Sequence, residues 1–233
     1  MKSSIAATTT IELSDVRFSY RKDREILRIK QLEIPAGERV FVFGPSGSGK
    51  TTLLGLLAGV INATSGAVNI LGQNLKAMSP AQRDAFRASH VGYIFQLFNL
   101  IPYLSVLDNI TLPCRLSQER FRRLNGVPMQ ESARRIAEHL GIGQLLGDTV
   151  TNLSVGQQQR VAAARSLIGT PELVIADEPT SSLDYDHRER FIELLFQECR
   201  QVGSTLVFVS HDRTLMPLFD RSISLSEINE AVQ

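Results

Sequence analysis

Residues 39–51, RVFVFGPSGSGKT, decide the fold of this chain. Arg39 to Phe43 is a short run, mostly valine and phenylalanine, of the kind found in a strand that is buried on both faces. Gly44 to Thr51 then matches the pattern G-x-x-x-x-G-K-[ST] without a gap. An apolar segment from Thr51 to Val60 follows. The stretch therefore predicts a strand, a glycine-rich loop and a helix that starts near Lys50.

The glycine-rich loop predicts a binding site for the phosphates of a nucleotide. Glycines let the backbone curl so that successive N–H groups point at phosphate oxygens, and the following helix presents its positive N-terminal end to the same anion. Lys50 can reach the β- and γ-phosphates, and the Thr51 hydroxyl can bind Mg²⁺. The predicted binding residues are Gly44, Pro45, Ser46, Gly47, Ser48, Gly49, Lys50, Thr51 and Thr52.

Two acidic residues at the end of a second apolar run extend this site. Leu173 to Ala176 is followed by Asp177 and Glu178, and ligands of parallel sheets bind at the carboxyl edge of the strands. Asp177 can hold Mg²⁺ through a water molecule, and Glu178 can polarise an attacking water. Acids after a strand are common by themselves, but beside the phosphate loop they indicate a nucleoside triphosphate and Mg²⁺. The phosphate loop and the acidic pair do not distinguish kinases, GTPases and transport ATPases from one another.

The rest of the pattern predicts an α/β layer with a mainly parallel sheet. Strand-like runs lie at Ile11–Phe18, Ile26–Ile34, Gly66–Gly72, Val91–Phe95 and Thr205–Val209. Ser79, Pro80 and Gln82 have the spacing of an N-cap, a first-turn proline and a capping-box partner, so we expect a helix from there to about Ser89. The stretch from about 96 to 151 carries helical patterns and is interpreted as an insertion into the layer.

The composition excludes several classes of protein. Of 233 residues, 43% are hydrophobic and 21% charged, which excludes a disordered chain. Lys and Arg number 25 against 24 Asp and Glu, so no basic excess indicates a nucleic-acid partner. Cys114 and Cys199 lie far apart, which excludes a disulfide scaffold and fits a reducing compartment such as the cytosol. We expect neither a signal peptide at Met1–Thr10 nor a transmembrane helix, because the longest apolar run is Leu53–Ile61.

The octapeptide LSVGQQQR at Leu153–Arg160 separates the classes of triphosphate-binding protein. It resembles the signature of the ATP-binding cassette (ABC) ATPases, which is usually written LSGGQ. The order of the other motifs is also similar to that family. Tyr20 precedes the phosphate loop, Gln96 ends a strand like the family's Q-loop, Ser182–Asp184 resembles the D-loop, and His211 resembles the switch histidine.

This resemblance implies the ABC ATPase fold, with a mainly parallel core sheet, an antiparallel β subdomain and a helical insertion. Residues 1–233 would form a single domain. Its ATP-binding core with the β subdomain would span about 1–95 and 152–233, and its helical subdomain about 96–151.

The resemblance also implies a role for each motif residue. The catalytic residues would be Glu178 as general base, His211 and Lys50. The Mg²⁺ ligands would be Thr51, Gln96 and Asp177. Tyr20 would stack on the adenine of ATP. The signature residues acting on the ATP of a partner subunit would be Ser154, Val155, Gly156 and Gln157, and Asp184 would couple the two sites of a head-to-tail dimer.

One residue departs from the family pattern. Val155 replaces the first glycine of the signature, and a Cβ there is expected to hinder close approach of the partner's phosphate or to restrict φ. Because Lys50, Asp177, Glu178 and His211 are all present, we nevertheless expect an active ATPase.

The segment after Gln96, LFNLIPYL at Leu97–Leu104, suggests a docking surface. Core packing is the plainer alternative, but Asn99 and Pro102 break any regular element. Apolar side chains on an irregular segment favour a docking groove, and the resemblance places a transmembrane permease there. The sequence from Val91 to Pro113 most resembles that of ATPases of the lipoprotein-release and macrolide-exporter type.

The resemblance thus predicts an ATP-hydrolysing transporter subunit, a homodimer on the cytoplasmic, inner face of the cell membrane. The first alternative is a soluble ABC ATPase that serves an assembly such as iron–sulfur cluster biogenesis. The second is a P-loop kinase or GTPase outside the ABC family, which the signature disfavours.

Other polar residues are expected to have structural or surface roles. The basic run of Arg115, Arg120, Arg122 and Arg123 favours a solvated face over contact with lipid headgroups or a partner. The histidines His90, His139 and His187 have no ligand spacing. Cys199 follows Leu195 on an apolar helix face and is expected in the core.

Overall fold

The fold is known from a computed structural model that describes residues 9–21, 24–181 and 185–231. In chain order the strands and helices are β1 Thr9–Arg21, β2 Arg24–Pro35, β3 Arg39–Phe43, α1 Lys50–Leu57, β4 Ser65–Ile70, β5 Gln73–Asn74, α2 Pro80–His90, β6 Val91–Ile94, α3 Val106–Leu116, α4 Gln118–Arg122, α5 Met129–His139, α6 Val155–Leu167, β7 Leu173–Asp177, α7 Tyr185–Val202, β8 Thr205–Val209, β9 Arg221–Ser224 and α8 Leu225–Ile228. Short 3₁₀ helices connect some of them, among them Arg213–Leu218.

A parallel sheet with the order β6-β7-β8-β3-β9 forms the centre of the molecule. Its inner strands are apolar on both faces, and β8 is buried along its whole length, as strands covered on both sides require. Val209 pairs with both Val42 and Asp177, and Ala176 pairs with Ile94. The carboxyl ends of four adjacent strands therefore lie at one edge.

A second, antiparallel sheet has the order β2-β1-β4-β5. Ile11 and Leu13 on β1 are buried, whereas the alternating residues Glu12 and Ser14 are exposed, because successive side chains of a strand point to opposite faces. The buried face packs in one apolar cluster with α1 and one face of the parallel sheet. The parallel sheet and the antiparallel sheet are thus both present, as predicted.

The helix starts follow the local sequence. Gly49 takes a left-handed conformation, with φ 98°, at the N-cap of α1. Ser79 caps α2 with its hydroxyl, Gln82 closes the capping box and Pro80 is the first helical residue, so the predicted start of this helix is confirmed. The stretch 96–151 contains α3, α4 and α5 and no strand of either sheet, and α3 and α5 pack on α6 through Val106, Ile110, Ala133 and Ala137.

The basic run on α3 and α4 is only partly a solvated face. Arg115 and Arg122 are exposed, but Arg120 is 1% exposed. Its guanidinium donates to the carbonyl oxygens of Val91, Ser166 and Ile168 at 2.6, 3.2 and 2.9 Å. Arg123 pairs with Glu119 and Glu172. The expectation was therefore wrong for Arg120 and Arg123, because Arg120 is buried against backbone carbonyls and Arg123 is half-buried in ion pairs with two glutamates.

The remaining polar residues are structural where they are described. His90 lies 3.1 Å from Glu172 and His139 lies 3.0 Å from Glu198, whereas the side chain of His187 is outside the described residues. Cys199 is in the core as predicted, and burial raises the pKa of its thiol to about 12. No helix in the described part of the chain has the length and apolar character needed to cross a bilayer.

We predict that Arg120→Leu lowers the free energy of unfolding by about 2–3 kcal/mol, because it leaves three buried carbonyls without their donor. The control is Arg122→Leu, which removes an exposed arginine of the same helix and should change stability by less than about 0.5 kcal/mol. Urea denaturation of the two variants measures both effects. Equal shifts would show that the carbonyl contacts of Arg120 contribute nothing.

Candidate active site

The predicted phosphate loop connects β3 to α1 at the carboxyl edge of the parallel sheet. Its backbone turns through positive φ at Gly47 (78°) and Gly49 (98°). Position 49 also has no room for a side chain, because a Cβ there would lie 2.8 Å from Leu27 Cδ2. A Cβ on Gly44 would lie 2.7 Å from the buried hydroxyl of Ser48, so the loop is shaped by close approach as well as by conformation.

Lys50 is folded back over this loop. Its Nζ donates to the carbonyl oxygens of Gly44 at 2.8 Å and of Pro45 at 3.0 Å. These two neutral acceptors hold the ammonium where the loop N–H groups gather. A phosphate at the loop is a stronger acceptor for that ammonium than a carbonyl.

Glu178 follows β7 in a strained backbone conformation. Its φ is 47°, and its N–H donates to Val209 O at 2.9 Å. Its Oε2 is buried and lacks a hydrogen-bond partner among the described residues. His211 Nδ1 lies 2.8 Å from that oxygen, without the alignment of a hydrogen bond, and the imidazole is 71% exposed. Strain and an unsatisfied buried carboxylate together mark a functional position.

Asp177 ends β7 beside Glu178. Burial and the charge of Glu178 raise the pKa of Asp177, and the charge of Lys50 opposes this. Two carboxylates thus lie side by side where β7 ends. The described residues contain no cluster of three or more His, Cys, Asp or Glu side chains that could hold a metal ion.

A cavity of about 500 Å³ unites several predicted residues. Its lining, as far as the chain is described, consists of Phe43, Gly44, Pro45, Ser46, Lys50, Glu178, His211 and Arg213. The loop, the acidic pair and the histidine therefore converge because their strands end together.

Other predicted residues lie around this cavity. Tyr20 is 66% exposed, and its hydroxyl is 3.5 Å from Thr52 Oγ1 on α1. Thr51 is exposed on the first turn of α1. Gln96 is exposed two residues beyond β6, at the same sheet edge. Asp184 lies outside the described residues.

The signature begins α6 with a capping box. Ser154 Oγ accepts from Gln157 N at 3.3 Å, and Gln157 Oε1 accepts from Ser154 N at 2.8 Å. The S-x-x-Q spacing of this capping box is visible in the sequence, as it is at Ser79. Val155 is the first helical residue and does not have a positive φ, so the expected restriction on φ is absent. Its side chain is 47% exposed.

Three further residues were missed by sequence reasoning. Gln159 is buried on α6 and donates to Pro179 O at 2.9 Å, next to Glu178. Arg165 donates to Phe98 O at 2.6 Å and to Asn99 O at 2.7 Å. The buried amide of Asn109 bonds the backbone of residues 101, 104 and 105. Their partners are backbone carbonyls and, for Asn109, also the N–H of Ile101, and no sequence pattern identifies such partners.

The segment after Gln96 is irregular, as predicted. Phe98 is buried and Leu97 and Tyr103 are 84% and 80% exposed. Phe98 and Asn99 both have positive φ, 58° and 48°, and Arg165 and Asn109 fix the backbone around them. An adjoining cavity of about 380 Å³ includes Phe95, Asn99 and Leu116 in its lining.

Comparison with known proteins identifies the family. A sequence model of the family described as ABC transporter matches residues 27–181. The chain belongs to the ABC transporter family. It is 41% identical over 200 residues to the uncharacterized ABC transporter ATP-binding protein YbbA of Escherichia coli K12, covering 86% of each chain. It is therefore an ABC ATPase and ATP is its nucleotide, which confirms the predicted family and enzyme class.

Two other relatives match the predicted subfamilies. The lipoprotein-releasing system ATP-binding protein LolD of Bacteroides fragilis is 36% identical, with 88% of this chain and 93% of LolD covered. The macrolide export ATP-binding/permease protein MacB of Rhodopirellula baltica is also 36% identical, with 93% of this chain and 32% of MacB covered.

Solved structures confirm the predicted ABC ATPase fold. The ATP-binding cassette MJ0796 in a dimeric post-hydrolysis state, bound to ADP and Pi, has a TM-score of 0.80 at 30% identity and covers 92% of this chain and 93% of its own. A second dimeric structure of MJ0796 has a TM-score of 0.81 at 31% identity, with the same coverage.

We predict that Gly49→Ala weakens ATP binding at least about tenfold, because the new Cβ pushes the loop away from Leu27. Gly72→Ala is the matched control: Gly72 has φ 73°, and a Cβ there would meet nothing within 4 Å. Both changes should cost about 1 kcal/mol of stability from left-handed strain. Calorimetric titration with ATP compares them, and equal affinities would contradict the steric argument.

Proposed function

We propose that this chain is the ATP-hydrolysing subunit of a transporter, that it works as a head-to-tail homodimer with two ATP molecules at the interface, and that the dimer drives a separate transmembrane permease. The dimer is inferred from the separation of the phosphate loop and the signature within one chain. Among the described residues, the lining of the phosphate cavity includes none of Ser154–Gln157. A second subunit can bring its signature to that open cavity, and the MJ0796 cassettes are dimeric.

In this proposal the loop Gly44–Thr51 binds the phosphates of ATP through its N–H groups and the ammonium of Lys50. The exposed ring of Tyr20 stacks on the adenine. Thr51, Asp177 and Gln96 are the residues that would hold Mg²⁺, which when bound neutralises charge between the β- and γ-phosphates. The raised pKa of Asp177 supports this, because an added cation would stabilise its carboxylate.

Glu178 acts as general base toward the attacking water. Glu178 Oε2 is buried and accepts no hydrogen bond from the described residues, so it is available to accept a proton. His211 has a second ring nitrogen, Nε2, which can donate to the γ-phosphate while Nδ1 stays close to Glu178. The pair therefore holds the water and the phosphoryl group on adjacent sides of one cavity.

The signature of the partner completes the site. The N–H groups of Val155 and Gly156 lie in the first turn of α6, where helix N–H groups have no partner within the helix. The capping box holds the Ser154 hydroxyl at the same end. These donors favour the triphosphate form, so ATP closes the dimer and hydrolysis opens it.

The permease docks near Gln96–Leu104. Leu97 and Tyr103 in this region are exposed apolar side chains, and the exposed Leu116 lines the 380 Å³ cavity together with Phe95. Arg165 and Asn109 hold the backbone of this surface, and Arg165 belongs to the signature helix. A movement at the permease contact can therefore be transmitted to Gln96 and, through Arg165, to the signature at the start of α6.

The relatives suggest the cargo and the place of action. LolD is named for lipoprotein release and MacB for macrolide export by a protein that joins ATPase and permease. We infer export or a lipoprotein- or envelope-related task, carried out at the cytoplasmic, inner face of the cell membrane.

We predict that Glu178→Gln binds ATP but hydrolyses it at least about 100-fold more slowly, because the general base is lost. With Mg-ATP it should form a stable dimer, seen as a doubled mass in light scattering, and ADP should not support that dimer. A variant that stays monomeric with ATP would contradict the head-to-tail dimer.

The same variant tests the permease. Glu178→Gln with Mg-ATP should capture a multi-span membrane protein from detergent-solubilised native membranes, and adding Leu97→Asp should abolish the capture. Val60→Asp is the control, since Val60 is 61% exposed but lies after α1. Recovery of soluble proteins alone would overturn the transporter function and favour an assembly ATPase of the iron–sulfur type.

We predict different outcomes for two matched serines. Ser79 and Ser154 form capping boxes with the same distances, 2.8 and 3.3 Å, so each change to alanine should cost about 1 kcal/mol of stability. Only Ser154→Ala should also lower the ATPase rate, by about tenfold or more, because it removes a donor for the partner's ATP. Equal loss of activity in both variants would reduce the role of Ser154 to helix stability.

A further inference from the structure

Arg213 lines the phosphate cavity without a role assigned by any motif. It lies two residues after His211 and begins the 3₁₀ helix Arg213–Leu218. The cavity lining that contains Lys50, Glu178 and His211 also contains Arg213. The guanidinium carbon lies 4.8 Å from the centre of the Phe43 ring, and Phe43 is the last residue of β3 before the phosphate loop.

The backbone on either side of Arg213 is fixed by Asp212. Asp212 Oδ1 accepts from Thr214 N at 3.1 Å and from Thr214 Oγ1 at 2.6 Å. Its other oxygen, Oδ2, accepts from Arg188 at 2.8 Å. The Asp212 carboxylate is thus occupied by other donors, and the start of the 3₁₀ helix is held in place.

Arg213 makes no ion pair within the described part of the chain, although Glu178 lines the same cavity and Asp212 precedes it. Arg39, Arg188 and Arg221 have carboxylate partners in Asp220, Asp212 and Glu38. For Arg213 the described contact is the face of Phe43, which orients a cation without neutralising it. An oriented, unneutralised guanidinium that faces a cavity is suited to an anionic ligand, and phosphate oxygens match its fork of N–H donors.

We propose that Arg213 donates to the γ-phosphate of ATP bound in the same subunit, as a second cation beside Lys50. The inference extends the function proposed above and assumes that ATP occupies the loop. ADP lacks the group that Arg213 contacts, so Arg213 sets the preference of this subunit for ATP over ADP. Charge that develops on the γ-phosphoryl oxygens during hydrolysis strengthens the same contact.

The decisive measurement is the ratio of ATP to ADP affinity in Arg213→Gln. The change is made in the Glu178→Gln background, which prevents turnover, and Mg-ATP and Mg-ADP are titrated at a protein concentration where light scattering shows a monomer. We expect ATP to bind about tenfold more weakly, while ADP affinity changes by less than about twofold. Arg213→Lys keeps the charge and should recover part of the ATP affinity.

Arg134→Gln is the matched control, because Arg134 is an exposed arginine on α5 and its loss changes the net charge equally. It should leave both affinities unchanged. A second measurement uses chains that keep the native Glu178 and therefore hydrolyse ATP. Inhibition of their ATPase activity by orthovanadate with ADP should weaken about tenfold in Arg213→Gln and stay unchanged in Arg134→Gln.

Three results would overturn the proposal. Equal weakening of ATP and ADP would mean that Arg213 supports the loop through Phe43, and no weakening of either would mean that it makes no contact. Unchanged ATP affinity with loss of the ATP-dependent dimer would place Arg213 against the partner subunit. If the Glu178→Gln parent itself binds no ATP, the proposed function fails as well; if the parent binds ATP normally, only the assignment of Arg213 is at stake.

Discussion

The common register of β6, β7, β8 and β3 determines where chemistry occurs in this molecule. Parallel strands that are buried on both faces leave their polar residues to the turns, and here four adjacent strands end level with one another. Groups from distant parts of the chain therefore meet at that edge: the glycine-rich loop, the acidic pair, His211 and Gln96. The buried interior of the sheet is therefore the support of the site.

The charged groups at that edge are incompletely paired. Asp177 and Glu178 lie together with partial burial, the Glu178 oxygen has no hydrogen bond among the described residues, and Lys50 is turned back onto its own loop. Each group is satisfied more fully when a triphosphate and a divalent cation are present than without them. Binding thus completes an arrangement that the fold alone leaves incomplete.

Helix α6 contacts three separate parts of the proposed machinery. Its first turn carries the signature, Gln159 bonds the carbonyl that follows Glu178, and Arg165 bonds the strained turn after Gln96. A helix is stiff along its axis, and its contacts here are buried or half-buried. In the proposed function, the nucleotide site, the partner subunit and the permease contact would therefore be joined through one helix.

The sequence by itself determined the features whose causes are local. The strand, loop and helix around Lys50, the capping box at Ser79, the core position of Cys199 and the order of the motifs all follow from spacing and residue type. Only the tertiary structure decided which groups the arginines contact and how far they are buried. Arg120, Arg165 and Arg213 look alike in the sequence, yet one lies buried on carbonyls, one holds a strained turn and one lies on an aromatic ring. Their partners are backbone oxygens and a phenylalanine far along the chain, and folding alone brings these groups into contact.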